Sequence, residues 1–361
     1  MNPIVSLVIV NYNCKPWLDR FFSSLRAQTI LDRCETIIVD NSSKDGSAEI
    51  CQREMKGWPN GHFLPTGGNY GFGGGCNFGA RAARGKYLFL LNPDVWFQTD
   101  CLEALVRQAE SSSAKVFSAV ELGYEDKNFV SGAHDQGSPG FDIFGCPTSR
   151  SPGKKVEEPF VVGSFFFIER EFFQKLGGFD QEFFVYGEEM DLSWRVHIAG
   201  ESMELVRTAG MHHAAAGSTD KTGGTTGFRR FYANRNQLIT ILKNANGPLL
   251  LLAFNNVALI TAEAIAGAVL AREPSFIVAS LFKPVADCWR LRGHILSQRR
   301  AIRNYRQHGD WWMVRHFLRA GFGHWGDIKG FLKWKIAIDK PTGPPKPGSL
   351  PEDRDRLKVT P

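Results

Sequence analysis

Nothing in this chain reads as a disulfide framework or a cysteine metal site. The seven cysteines, Cys14, Cys34, Cys51, Cys76, Cys101, Cys146 and Cys288, are scattered and odd in number, and no pair stands at a C-x-x-C spacing. Reduced thiols in a cytoplasmic protein are the expectation. A secretion signal is missing too: the apolar run from Ile4 to Val10 is short, follows no basic region and ends in Asn11-Tyr12-Asn13. No G-x-G-x-x-G follows that run. Gly71-Phe72-Gly73-Gly74-Gly75-Cys76 comes later and fails at its last glycine, which excludes the dinucleotide fingerprint of an oxidoreductase. No internal repeat is visible.

What is present suits one large domain with a smaller module: 361 residues, 43% hydrophobic and 22% charged, can bury a substantial core. The net charge of +6 is unevenly placed. Leu281 to Lys340 holds 13 Lys and Arg against 4 Asp, so the remainder is net acidic. Such a stretch suits nucleic acid or an anionic membrane surface, and the apolar sequence before it favours the membrane. Pro248 to Ala271 carries a single charge, Glu263, and is long enough to span a bilayer. Against spanning, Asn255, Asn256 and Glu263 are costly in hydrocarbon, and Gly247-Pro248 and Pro274 break the pattern at both ends. A helix packed on the catalytic domain is the alternative. The reading adopted is monotopic, with Trp289, Trp311, Trp312, Trp325 and Trp334 among the Lys and Arg at anionic head groups.

Ser6 to Val10 and Thr36 to Val39 are short β-branched runs separated by a helical stretch from Trp17 to Gln28, a β-α-β opening. A helix around Ser47 to Met55, a Gly-rich segment from Gly67 to Gly79 and a strand from Lys86 to Leu91 continue it. The fold class is α/β, with a mostly parallel sheet flanked by helices, and ligands of such sheets sit beyond the carboxyl ends of the strands. Gly123 to Pro159 reads as long loops beside the site, and Ala214 to Gly227 as a mobile loop. The expected division is a catalytic domain over 1–243, a helical membrane-associating module over 244–340 and a disordered tail over 341–361, where Pro341, Pro344, Pro345, Pro347 and Pro351 cluster.

Polar residues at strand ends carry the chemistry. Asp40, in Val39-Asp40-Asn41-Ser42-Ser43, can accept hydrogen bonds from a nucleobase or ribose, or merely shape a turn that Ser47 finishes as a helix cap. Asp94, at the tip of Leu90-Leu91-Asn92-Pro93-Asp94, is a hard oxygen ligand suited to a divalent cation on a diphosphate, although Asn-Pro-Asp is also a common turn. Between Gly187 and Gly200, alternating Met190, Leu192, Trp194 and Val196 suit a strand, but the bracketing glycines favour a short helix. There Glu188 and Glu189 occupy the first turn, and Asp191 pairs with Arg195 four residues on. Such carboxylates form a solvated acidic helix start or supply a general base. Of His212 and His213, at most one can face a site from a strand. Arg229, Arg230 and Arg235 either clamp a diphosphate or coat a surface.

In this order, these residues resemble glycosyltransferase family 2, inverting enzymes of the GT-A nucleotide-sugar-binding fold, and within it rhamnosyltransferase-like members acting on polyprenyl-linked glycans. The resemblance runs from about Ser6 to Lys243, through Ser6–Asn13, Asp40, Asn69-Tyr70-Gly71-Phe72 with Asn77 and Gly79, Asp94, Gly177-Gly178-Phe179-Asp180, the acidic helix and Arg235-Asn236. It implies a donor held by Asn11, Asn13, Asp40, Asn69, Asn77, Asn92 and Arg235, and Mg²⁺ or Mn²⁺ on Asp94 and His213. Glu189 would be the base, with Glu188 and Asp191 beside it. Two departures stand out. Asn92 replaces the first acid of the Asp-x-Asp metal motif, and Glu188-Glu189 replaces the usual Glu-Asp, leaving open which glutamate acts. The resemblance implies a dTDP- or UDP-sugar donor, rhamnose first, and a glycan or polyprenyl-diphosphate-sugar acceptor at the inner face of the plasma membrane. A soluble acceptor and an inactive nucleotide-sugar-binding scaffold are the alternatives. A nucleic-acid partner would leave the acidic helix unexplained.

Overall fold

The computed structural model describes residues 2–122, 140–148, 159–160, 165–214, 226–271 and 274–319. The β-branched and leucine-rich runs form β1 (Val5–Asn11), β2 (Cys34–Asp40) and β4 (Tyr87–Leu91), each buried along its whole length. Strands covered by helices on both faces must be apolar throughout. With β3 (Gly61–Pro65), β5 (Val95–Phe97), β6 (Val116–Leu122), β7 (Phe166–Glu169) and β8 (Met203–His213) they make one sheet in the order β3-β2-β1-β4-β7-β6-β8-β5. The first four spatial neighbours are parallel, and β7 enters antiparallel between β4 and β6. β8 runs parallel to β6 and antiparallel to β5. The sheet is therefore mixed but mostly parallel, as the sequence indicates.

Helices α1 (Leu18–Arg26), α2 (Ser47–Lys56) and α4 (Cys101–Ser111) close one face of the sheet. The other is closed by α3 (Gly71–Ala82), α5 (Arg170–Lys175) and α6 (Glu188–Ile198). The Gly-rich segment becomes α3 because two of its glycines admit close neighbours. A Cβ on Gly75 would stand 2.7 Å from Val10 Cγ1 on β1. Gly71 has φ +71°, and a Cβ there would fall 1.7 Å from the Phe184 carbonyl oxygen. All seven cysteines are buried, and none is in a disulfide.

The C-terminal helices are α7 (Thr226–Asn244), α8 (Leu251–Ala271), α9 (Ser275–Ile277), a π-helical turn at Val278–Phe282, α10 (Lys283–Arg290), α11 (Arg292–Arg303) and α12 (Asp310–Phe317). They share cores with the sheet domain. Phe183 packs with Leu238, Ile239, Ile260, Cys288, Leu291 and Ile295, and Trp194 with Phe141, Phe160, Ile241, Leu249 and Phe317. Asn244 and Lys243 both bond Asp191 of α6, at 2.9 Å each. Packing thus crosses the boundary expected between 243 and 244.

The polar residues that argue against a membrane-spanning α8 all find protein partners. Asn255 and Asn256 donate to the Ile143 and Phe144 carbonyls, at 2.8 and 3.0 Å, and Glu263 pairs with Arg230 at 3.1 Å. One face of α8 is docked in this way; the other exposes Leu251, Phe254, Ile265 and Val269. Most of the loop expected over 123–159, the residues of the mobile loop up to 225, and everything from 320 on, including the tail, lie outside the described residues.

Candidate active site

Strand register brings the acidic tips together. Asn11 stands opposite Asp40 at the ends of β1 and β2, and Ile9 opposite Leu91, so Asn92-Pro93-Asp94 emerges at the same carboxyl edge. From the other half of the sheet, His213 pairs with Val95 across β8 and β5. The imidazole lies between two carboxylates: Nε2 is 3.5 Å from Asp94 Oδ2 and Nδ1 is 3.8 Å from Glu121 Oε1. Burial opposes charge on His213, but Asp94 and Glu121 outweigh it and raise the ring to about 9. His212 faces the other way and stacks on Trp96, so only one of the two histidines meets the carboxylates, as strand alternation requires.

Glu121 was not among the candidates read from the sequence. It is a lone acid near the end of the apolar strand Val116–Leu122, the pattern that singled out Asp94. Asp94 Oδ1 and Glu121 Oε2 are buried without a hydrogen-bond partner among the described residues. Buried carboxylate oxygens are ordinarily satisfied, and a hard cation supplies what these lack. No set of three His, Cys, Asp or Glu side chains forms a preassembled metal cage among the described residues. A site completed by diphosphate oxygens and water needs none, since Mg²⁺ is usually held by one or two carboxylates plus substrate phosphates.

The acidic segment is a helix, not a solvated one. Glu188 is buried with Oε2 unpartnered, while Glu189 is half-buried and has no side-chain partner among the described residues. Burial first, and the Glu189 charge second, push the Glu188 carboxyl well above its usual range; burial raises Glu189 as well. The backbone leading into α6 is strained. Phe184 and Tyr186 have φ of 62° and 65°, followed by Gly187 at 86°. Asn236 ties this turn together: its Nδ2 donates to the carbonyls of Phe183, Val185 and Tyr186 at 3.0, 2.8 and 2.6 Å.

The side chains expected to hold the donor make the following contacts within the protein. Arg235 is buried and donates to Asn236, to Asp287 and to the carbonyls of Glu182 and Phe183, which fastens the turn before α6. Asn77 bonds both the N–H and the carbonyl of Phe179. Asn69 accepts from the Gly71 N–H at the start of α3, and Asn13 accepts from the Lys44 N–H. Asn11 orients Asp40 through a 2.7 Å bond to Oδ1, and the Ser43 hydroxyl and N–H also donate to that carboxylate. Asp191 is buried and paired through both oxygens. Arg195, Lys243 and Asn244 occupy both its oxygens in a fully buried network that continues through Lys243 to Asp180 at 2.5 Å and on to His294. Burial alone would raise Asp180, but Lys243 and His294 hold it well below the usual carboxylate range. Asn92 is half-buried beside Asp94. Asp40, Asp94, His213, Glu188 and Glu189 remain as candidates.

Comparison with known proteins agrees with this geometry. Residues 6–177 match the glycosyl transferase family 2 profile. The chain carries a family 2 glycosyltransferase domain. It is 27% identical over 255 residues to the N-acetylglucosaminyl-diphospho-decaprenol L-rhamnosyltransferase of Mycobacterium tuberculosis, covering 61% of this chain and 79% of that protein. To the rhamnosyltransferase WbbL of Escherichia coli it is 26% identical over 223 residues, 56% of this chain and 80% of the relative. Among solved structures, GalNAc-T7 with UDP, GalNAc and Mn²⁺ superposes with a TM-score of 0.55 at 19% identity, over 69% of this chain and 49% of that one. That likeness establishes the GT-A fold, and the rhamnosyltransferase-like sequence places this family 2 domain among such relatives.

Proposed function

We propose that this glycosyltransferase transfers a sugar, rhamnose first, from a dTDP- or UDP-linked donor to a polyprenyl-diphosphate-linked glycan in cell-envelope polysaccharide synthesis, with inversion. The observation that carries the reading is the pairing, at one sheet edge, of the unpartnered Asp94 and Glu121 oxygens with the Glu188-Glu189 helix start. The acceptor class is supported by the mycobacterial relative's name and the metal by the Mn²⁺ of GalNAc-T7.

Asp94 and His213, with Glu121 behind the imidazole, would hold Mg²⁺ or Mn²⁺. When bound, such a cation neutralises charge that builds on a departing diphosphate. Asp40, locked by Asn11 and Ser43, presents its carboxylate to the nucleoside. Glu189 takes the proton of the acceptor hydroxyl as that oxygen attacks the anomeric carbon from the face opposite the nucleotide. The bond to the diphosphate breaks in the same displacement. Glu188, buried beneath, keeps the first turn of α6 poor in water.

The bilayer is the partner for the exposed apolar faces. α8 presents Leu251, Phe254, Ile265 and Val269; the π-helical turn and α10 present Val278, Phe282, Val285 and Trp289. Both segments pack on α7 through the Leu238 cluster, so these stripes turn away from the protein. Pro248–Val269 is the one described helix long and apolar enough to cross a membrane, yet its asparagines grip residues 143–144, which favours lying in the interface.

The test is a panel of nucleotide sugars with and without Mn²⁺, read as released nucleoside diphosphate, with the product's anomeric configuration read by NMR. Equal release without metal defeats the metal role, and retained configuration defeats the single displacement. Phe254→Asp with Phe282→Asp should abolish flotation with anionic liposomes; unchanged flotation defeats the interfacial arrangement.

A further inference from the structure

A second charged site lies outside the candidate active site. A cavity of about 390 Å³ opens where α11 passes the end of α7, lined by Arg299, Arg300, Arg303 and Arg306 with Asn246 and Leu296 at its rim. Arg299 and Arg303 stand one turn apart on α11, and Arg306 follows just beyond its end, so like charges meet in one concavity and repel. Two of them have a structural explanation. Arg299 donates to the Leu242 and Ala245 carbonyls and Arg306 to that of Asn244, capping the negative end of α7. Arg300 and Arg303 have none: both are exposed and lack an acidic partner among the described residues. Asp310, at the start of α12, is engaged elsewhere: it accepts the N–H groups of Asn246, Gly247 and Leu249 in the α7–α8 connection. Lys243 turns its ammonium inward to Asp180 and Asp191. The concavity therefore holds a surplus of planar, five-donor cations, suited to two-pronged contact with phosphate oxygens.

We propose that this cavity binds a closely spaced pair of phosphates, from either a soluble diphosphate or the head group of an anionic lipid. The site is separate from the sheet edge where transfer is placed, so it stands or falls independently of the sugar chemistry. A single phosphate engages fewer of the arginines and binds more weakly. Leu296, 52% exposed at the rim, gives an adjoining lipid a first apolar contact.

Calorimetry on the full chain in EDTA, which suppresses metal-assisted binding elsewhere, should show one site for inorganic pyrophosphate and weaker binding of orthophosphate. Arg300→Ala with Arg303→Ala should weaken pyrophosphate at least about tenfold, since each lost bond is charge-assisted. Its Tm should be unchanged, because neither side chain is bonded. Vesicles of phosphatidylcholine with cardiolipin distinguish the sources. Flotation lost in the double variant and competed by pyrophosphate identifies a lipid head group; flotation unaffected while pyrophosphate binding falls identifies a soluble diphosphate. Equal pyrophosphate affinity and equal flotation in wild type and variant overturn the proposal and leave the arginines as a helix cap and a solvated face.

Discussion

The two edges of the sheet treat buried carboxylates in opposite ways. At the amino edge, Glu35 opens β2 fully buried, yet both oxygens are satisfied. The Ser6 hydroxyl and the N–H groups of Arg84 and Gly85 donate to Oε1, and the Arg84 guanidinium donates to Oε2. Burial would raise that carboxyl, but these donors lower it below the usual range. At the carboxyl edge, Asp94, Glu121 and Glu188 each keep a buried oxygen with no partner among the described residues. A satisfied buried acid serves the fold, whereas an unsatisfied one is held ready for something that arrives.

Substitutions at each edge should break that comparison differently. Glu189→Gln should lower turnover by roughly 10² to 10⁴, the usual worth of a general base, with nucleotide binding and Tm nearly intact. If Glu188→Gln is crippled and Glu189→Gln is not, the roles are exchanged. Glu35→Ala should behave inversely: it leaves buried donors unmatched, so denaturant unfolding should show a loss of about 3 kcal/mol while activity per folded molecule is kept. Asp94→Ala should weaken nucleoside diphosphate binding in Mn²⁺ and leave metal-free binding alone, as calorimetry would show.

The smallest effect has a definite sign. Glu188 is raised in the folded state, so the fold holds a proton that the unfolded chain releases near the ordinary glutamate value. Stability should therefore fall as pH rises from that value towards the raised one and stay reduced above it. Glu188→Gln should flatten this limb in a Tm-against-pH profile and melt higher than wild type at neutral pH. A Gln variant that melts lower would mean that the unpartnered oxygen is stabilised as a carboxylate.

Much of the fold was legible because burial imposes composition. The runs Ser6–Val10, Thr36–Val39 and Lys86–Leu91 became strands whose ends lie within a residue or two, and a helix does start after Gly187. The carboxylates at strand ends were legible for the same topological reason. Side-chain direction was not. Arg235, Asn77 and Asn69 look like ligand-binding polar residues, but each bonds backbone groups, Arg235 also the Asn236 and Asp287 side chains, and the sequence does not announce those partners. Glu121 carried a readable signal, an acid closing an apolar strand. A rise in helical periodicity near 243 marks a change of secondary structure, while side-chain packing runs across it.

Asn255 and Asn256 grip residues 143–144, Gln237 bonds Gly145, and Lys243 and Asn244 hold the acid helix. A chain ending at Lys243 would shed part of the scaffold that orients Glu188 and Glu189. Exchange of segments between relatives faces the same rule. A chimaera cut between the sheet domain and the helices inherits mismatched halves of one ionic network, whereas one that carries Gly177 through Phe317 as a block moves the turn, the acid helix and the exposed apolar stripes as a single heritable part.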